Sequence, residues 1–163
     1  MKINPYAATH DELTGLPNEF LLLDRLNQAV ITSERGTCRV ALLIVSLNNY
    51  LTIQQEYGQE FSDRLILKVA ESLQETLREP DTIARREDHA FAILLPQIES
   101  QLILTQLVSR IEKVMAKPFL IDSINIILNT SIGQGTYPYS GSDALKLLQY
   151  VESEIKKNQQ QTA

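Results

Sequence analysis

Cysteine is nearly absent from this chain: Cys38 stands alone among 163 residues. No internal disulfide is possible, and a reducing, cytoplasmic setting fits best. Cys38 itself reads as a small hydrophobe at a strand start rather than a reactive thiol. Long apolar runs are also missing. Nothing approaches the roughly 20 residues of a membrane helix, and the polar opening MKINPY is no secretory signal, so direct membrane insertion is not expected. Positive charge is in deficit, with a net charge of -5 and a pI near 5.1. That balance argues against nucleic acid as the main partner, which would need a basic face. Glycine is scarce at one telling place. The stretch ARREDHAFAILLP, residues 84–96, looks like a hairpin tip running into a buried strand, yet it has no glycine to take the positive φ that tight tips favour.

What is present is a single domain's worth of patterned sequence. The length supports one continuous core, and a hydrophobic share of 44% is ordinary for a globular chain. LTGLPN supplies Gly15, Pro17 and Asn18, a loop ending in a helix N-cap. From Phe20 to Val30 the residues Leu22, Leu23, Leu26 and Val30 share one helical face. Val40 to Val45 is apolar throughout and short, the signature of a central strand buried on both sides. Phe61, Leu65, Val69, Leu73 and Leu77 recur every fourth residue and predict one long amphipathic helix, which Pro80 ends.

Thr82 to Arg86 then pairs with Ala90 to Leu95 in the hairpin, and a helix covers Leu102 to Met115. Phe119 to Ile121 and Ile124 to Ile132 make a second strand pair about Asp122-Ser123. The longer of the two alternates Ile124, Ile126, Leu128, Thr130 and Ile132. A last helix runs from Ser142 as N-cap to about Lys157, with a polar tail that frays. The expected class is α+β: a central, mostly antiparallel sheet of about five strands flanked by helices.

At this point four segments in order, HDELTGLPN, SLNNYLTIQQEYG, DTIARREDHAFAILLP and NTSIGQGTYP, resemble the GGDEF domain family. The resemblance covers about Asp11 to Lys157. It implies a nucleotide-cyclase-like fold, with residues 1–10 a linker or helix from a preceding module and 158–163 a polar tail or linker. Active members of the family are diguanylate cyclases, which join two GTP molecules into cyclic di-GMP across a dimer. That reaction needs divalent ions to neutralise charge developing on the triphosphate, and hard Mg²⁺ needs carboxylate oxygens near the phosphates.

Carried over position by position, the family's catalytic residues are mostly replaced. The metal aspartate at the first strand's end falls on Ser46, and the phosphate lysine after it falls on Leu51. The tip's two glycines become Glu87 and Asp88, its metal-binding third residue becomes His89, and its acidic fourth becomes Ala90; Phe91 survives as a packing residue. A later phosphate lysine falls near Gln159. The guanine-reading asparagine becomes Gln54, while the guanine-reading aspartate remains as Asp63. Glu87 and Asp88 are poor substitutes, because each step along a strand reverses the side chain. If the lost groups were together worth ~6 kcal/mol, the rate would fall about ten-thousandfold. The expectation is therefore a degenerate domain with no catalytic residues, no metal and no cofactor. Mg²⁺ belongs only to the rival reading, a weak cyclase using Glu87 and Asp88. The charged knot is expected to be a solvated turn, with His89 exposed and far in sequence from the only other histidine, His10.

One family feature is intact. Many cyclases carry Arg-x-x-Asp before the hairpin, an inhibitory site for cyclic di-GMP, and Arg78-Glu79-Pro80-Asp81 matches it. Arginine can pair with guanine O6 and N7, and aspartate can accept from N1 and N2. The alternative is local chemistry: an arginine favouring the end of a helix, then a Pro-Asp turn. Arg85, Arg86 and Arg110 are candidates for a second arginine. The resemblance further implies a homodimer, or fusion to sensor and EAL phosphodiesterase domains in a longer protein. The third possibility is a purely structural domain that passes conformational change between its neighbours.

Overall fold

A computed structural model describes residues 5–36 and 38–161 of the chain. The first four residues of the expected linker and the last two of the expected tail lie outside the described residues. Helix α1 (Glu19–Ser33) starts where Asn18 Oδ1 accepts from the Leu21 amide at 3.1 Å, satisfying one of the first-turn donors. Strand β1 (Arg39–Leu47) follows and is buried from Val40 onward. Next come two helices, α2 (Tyr50–Tyr57) and α3 (Gln59–Gln74). Gly58, at φ 93, separates them with a backbone conformation that costs a side-chain-bearing residue dearly. The pattern beginning at Phe61 anticipated α3. It did not anticipate α2, and α3 ends at Gln74, short of Leu77.

The hairpin of β2 (Thr82–Arg86) and β3 (Ala90–Ile98) pairs as expected, with Ala84 opposite Ala92 and Arg86 opposite Ala90. Helix α4 (Gln101–Ala116) leads to a small two-stranded sheet of β4 (Phe119–Ile121) and β5 (Ile124–Ile126). The expected strand Ile124 to Ile132 is in fact two. Beyond β5 the chain breaks at residues 127–129 and resumes as β6 (Thr130–Tyr137) in the main sheet. Asn49 explains the break: its side chain donates to the Ile127 carbonyl at 3.0 Å and accepts from the Asn129 amide at 3.0 Å, taking backbone groups a ladder would use.

Helix α5 (Ala144–Gln161) closes the fold. Its first-turn acceptor is Asp143 rather than Ser142, with Asp143 Oδ1 receiving the Lys146 amide at 2.8 Å. The helix also continues past Lys157 through residues expected to fray.

The main sheet has the order β2-β3-β1-β6, with β1 antiparallel to both neighbours. Strand alternation sends Ala41, Leu43, Val45, Phe91 and Ile93 to a core shared with α2, α3 and α4. Val40, Leu42, Ile44, Ala92 and Leu94 pack instead against α1 and α5. Both faces of β1 are therefore covered, which is why its sequence is apolar without alternation. Each fully buried Leu or Phe contributes about 2–3 kcal/mol by leaving water. No helix among the described residues is long and apolar enough to cross a membrane.

Candidate functional site

The hairpin tip, the end of β1 and the end of α5 meet at one place. Register sets Ser46 opposite Ala90 on one side and Ser131 on the other. Ser46 is 3% exposed. Its hydroxyl accepts from Gln159 Nε2 at 3.1 Å, and the same amide donates to Asn48 Oδ1 at 3.3 Å. Asn48 Nδ2 in turn donates to Ser131 Oγ at 2.7 Å. The result is a neutral lattice of hydroxyls and amides. A cavity of about 280 Å³ beside it is bordered by Arg86, Glu87, His89, Glu152 and Lys156.

Magnesium does not fit these residues. Ser46 and Ala90 present no carboxylate, Glu152 pairs with Arg86 at 2.6 Å, and Glu87 lies 3.4 Å from His89 Nε2. Among the described residues, no three His, Cys, Asp or Glu side chains stand close enough to share an ion. Glu87 and Asp88 also part company across the turn. Glu87 borders this cavity, whereas Asp88 borders a second one of about 520 Å³ with Asp11, Tyr50, Gln54, Gln59, Asp63 and Arg85.

In that second cavity Gln54 and Asp63 do come together, but through an intermediary. Gln54 Nε2 donates to Gln59 Oε1 at 2.5 Å, and Gln59 Nε2 donates to Asp63 Oδ1 at 2.7 Å. Gln54 and Asp63, which the resemblance places at guanine-reading positions, thus both bond Gln59 on the wall of this cavity. Leu51, which the resemblance places at a phosphate-lysine position, is exposed and apolar.

The knot is not simply a solvated turn. Glu87 and Asp88 are exposed and His89 is half-buried, but the two arginines fold inward. Arg85, with a side chain only 8% exposed, lies 3.3 Å from Asp11 Oδ2 and donates to the Asp88 carbonyl at 2.9 Å. Arg86 bridges Glu19 at 3.2 Å and Glu152 at 2.6 Å, tying the tip to α1 and α5. Burial works against the Asp11 charge. Hydrogen bonds from the Thr14 hydroxyl and amide, together with Arg85, outweigh it and hold the carboxyl below its ordinary range. His10 is stacked on Tyr6 at 3.7 Å in the opening segment.

Arg78 and Asp81 are also brought together, and they are bound to each other. Asp81 accepts from Arg78 Nη2 at 3.0 Å, from Arg78 Nε at 3.2 Å and from the Arg78 amide at 3.0 Å. Arg78 Nη2 further donates to the Gln97 carbonyl at 3.1 Å. The Asp81 side chain is 1% exposed against 42% for Arg78. Asp81 hydrogen bonding raises the Arg78 pKa above its ordinary value, so the guanidinium charge is permanent.

This pair borders an open groove of about 760 Å³ with Arg25, Gln28, Thr82, Gln97, Glu79 and Glu99 on its walls. None of Arg85, Arg86 and Arg110 borders it; Arg110 donates instead to the Thr76 carbonyl at 3.2 Å. A second arginine on the groove's wall is Arg25, whose Nη1 donates to Thr82 Oγ1 at 3.2 Å. Nothing in the sequence marked Arg25; its place follows from the packing of α1 beside β2, which brings it to Thr82 across 57 positions. Cys38 lies nearby, half-buried, its sulfur accepting from Gln97 Nε2 at 3.2 Å.

A GGDEF-type domain is the class that this sheet order and this hairpin define. Residues 8–163 match the family described as diguanylate cyclase, GGDEF domain, and the chain belongs to it. It is 34% identical over 141 residues to the bifunctional diguanylate cyclase/cyclic di-GMP phosphodiesterase MucR of Pseudomonas aeruginosa, covering 86% of this chain and 20% of that protein. It is 27% identical to the cyclic di-GMP phosphodiesterase PdeR of Escherichia coli, covering 90% of this chain and 22% of PdeR. The chain thus spans about a fifth of the length of these relatives. Among solved structures, the GGDEF domain of TpbB (YfiN) from Pseudomonas aeruginosa superposes with a TM-score of 0.89 at 25% identity, covering 93% of this chain and 89% of that one. The GGDEF domain of DgcB from Caulobacter crescentus, solved in complex with c-di-GMP, shares the fold with a TM-score of 0.85 at 19% identity, covering 98% and 93% of the two chains.

Proposed function

We propose that this domain does not cyclise GTP and serves as a regulatory or dimerising module in cyclic di-GMP signalling, with cyclic di-GMP taken up in the groove of Arg78. The observation that carries the first half is the neutral lattice around Ser46. Where two metal ions must be gripped, the chain offers a hydroxyl already bonded to Gln159, an alanine, and carboxylates already committed to Arg86 and His89. Glu87 and Asp88 border different cavities, which weighs against the rival weak cyclase built on both. For the second half, the groove carries two arginines, Arg25 and Arg78, suited to phosphate and guanine acceptors. MucR is named for both a cyclase and a phosphodiesterase, which supports an EAL neighbour for this domain.

Two measurements test the reading. Incubation with GTP and Mg²⁺ or Mn²⁺ is expected to give no cyclic di-GMP; turnover abolished by Glu87→Ala would restore the enzyme. Calorimetric titration of cyclic di-GMP is expected to give heat with wild type and none with Arg78→Ala. A blank wild-type titration would leave a purely structural, signal-transmitting domain as the better account.

A further inference from the structure

Resting on the dimerising half of the reading above, we propose that two copies of this chain pair about a two-fold axis through the face formed by α3 and the β4–β5 hairpin. One side of α3 lies in the core. The other carries Glu60, Arg64, Leu67, Glu71 and Gln74, spaced four and three residues apart, the stripe along which two helices pack. Leu67, 43% exposed, is the one apolar residue that α3 leaves open to solvent. Leu120 stands beside it on β4, 61% exposed and opposite Asn125 on the outward side of the hairpin, while Phe119, Ile121 and Ile126 turn to the core. Both leucines border one recess of about 270 Å³ with Arg64, Lys68, Glu71 and Asp122. The face thus offers a protruding side chain and a hollow that receives one.

The charges select a second copy as the occupant. The chain carries a net charge of -5, so two copies repel on average, yet this recess has two cations and two carboxylates. With α3 laid antiparallel on α3 about an axis between Leu67 and Lys68, Arg64 of each copy falls opposite Glu71 of the other, and each Leu67 meets a Lys68 stem. An in-register parallel pairing would set like charge on like. Glu60 and Glu75 also fall opposite each other, but at the helix ends, where crossing helices part. Arg64 pairs with Asp122 through Nη2, both side chains about half exposed, and its fork has further donors for Glu71 of the second copy. Within one chain Arg64 and Glu71 are two helical turns apart, beyond the three- and four-residue spacings at which helix neighbours pair. Leu67, Leu120 and Ile127, the last just past β5, expose roughly 300 Å² of apolar surface, enough to mark a contact site and well below what an obligate dimer buries. The pairing is therefore weak and rises with concentration.

The test is sedimentation equilibrium from micromolar to near-millimolar concentration on wild type, Leu67→Ser, Arg64→Glu, Glu71→Arg and the double variant Arg64→Glu/Glu71→Arg. All the substituted side chains are exposed, so thermal melts should stay near wild type and a change in mass reports association alone. Wild type is expected to dimerise reversibly, with Leu67→Ser and each single reversal weakening association about tenfold or more. The double variant should return to within about threefold of wild type, because the two reversed charges meet again only across the axis. Wild-type association left unchanged by Leu67→Ser, or single reversals that do nothing or are not rescued by the double variant, overturns this face while the dimerising reading stands. A wild type that stays monomeric throughout overturns both, and leaves the receptor half of the reading to its own titration.

Discussion

Gln159 Nε2 donates to Ser46 Oγ at 3.1 Å, joining the last turns of α5 to the end of the central strand across 113 positions of sequence. By the resemblance to the family's cyclases, a metal aspartate falls on Ser46 and a phosphate lysine near Gln159. Here a neutral pair meets directly. The pair forms a clasp between strand and helix, with Asn158 adding a hydrogen bond to the Ile132 carbonyl at 2.5 Å.

Restoring the acid should therefore cost stability without restoring chemistry. Ser46→Asp places a charge at a position 3% exposed, opposite Ala90 and Ser131. The expected loss is about 1–3 kcal/mol, read as a lower urea midpoint with unchanged slope. No cyclic di-GMP should form from GTP and Mg²⁺, since Ala90 and His89 supply no second carboxylate. Cyclase activity in this single variant would show that the rest of the site is intact after all.

Glu87 carries the tip's missing glycine as backbone strain. Its φ is 43, a conformation glycine takes freely and other residues pay roughly 1–2 kcal/mol to enter. Its contact with His89 Nε2, at 3.4 Å with both side chains open to solvent, returns little. Glycine's greater freedom in the unfolded chain offsets part of the relief. Glu87→Gly should raise the unfolding midpoint by the equivalent of about 0.5 kcal/mol, and a clear fall would mean the His89 contact matters more than the strain.

Asp11 makes the tip's anchorage acid-sensitive. Thr14 and Arg85 depress its folded-state pKa below the ordinary 3.8 despite burial. A depressed carboxylate stabilises the fold fully above the unfolded-state value, and that stabilisation is lost as pH falls through the lower folded-state value. Wild type should lose stability below about pH 4 more steeply than Asp11→Asn, which has already lost the Arg85 pairing at neutral pH. Parallel stability-against-pH curves for the two proteins would remove Asp11 from the account.

How much of this was legible in the sequence follows from how local each cause is. The α1, α3 and α4 signals were readable because their apolar spacing matches the helical period, and β1 and the hairpin because short apolar runs stand beside charged residues. Helix α2 escaped because it is short and buries only Tyr50 and Ile53. The alternation from Ile124 to Ile132 looked unbroken because Asn49, some 80 positions away, is what interrupts it. The candidate site divides the same way. The expectation of replaced ligands at Ser46, His89 and Ala90 came position by position from the family resemblance. The inward turn of Arg85 and Arg86 could not be read there, since their partners Asp11, Glu19 and Glu152 are brought in by tertiary packing. Nor could the Arg78–Asp81 pairing be read, because a motif specifies residue types and not whether they already satisfy each other.

The clasp at Ser46 also depends on how closely α5 approaches β6, and Gly133 sets that distance. A Cβ at Gly133 would lie 2.6 Å from the Val151 carbonyl oxygen and 2.9 Å from the Ile155 amide nitrogen, both backbone atoms of α5. A helix backbone cannot swing aside as a side chain can, so Gly133→Ala must push α5 off the sheet. At Gly135 the nearest atoms are side-chain carbons of Tyr150, Val151 and Leu147 at 3.0–3.1 Å, which have room to yield. Gly133→Ala should therefore cost about 2–3 kcal/mol, and Gly135→Ala about 1 kcal/mol or less. The first should also speed amide exchange over residues 155–161, because the displaced helix draws Gln159 away from Ser46 and frees the last turns. Equal losses in the two variants, or protection of those last turns unchanged in Gly133→Ala, would separate the helix's seating from the clasp and show that Gln159 follows Ser46 without help from the close approach below it.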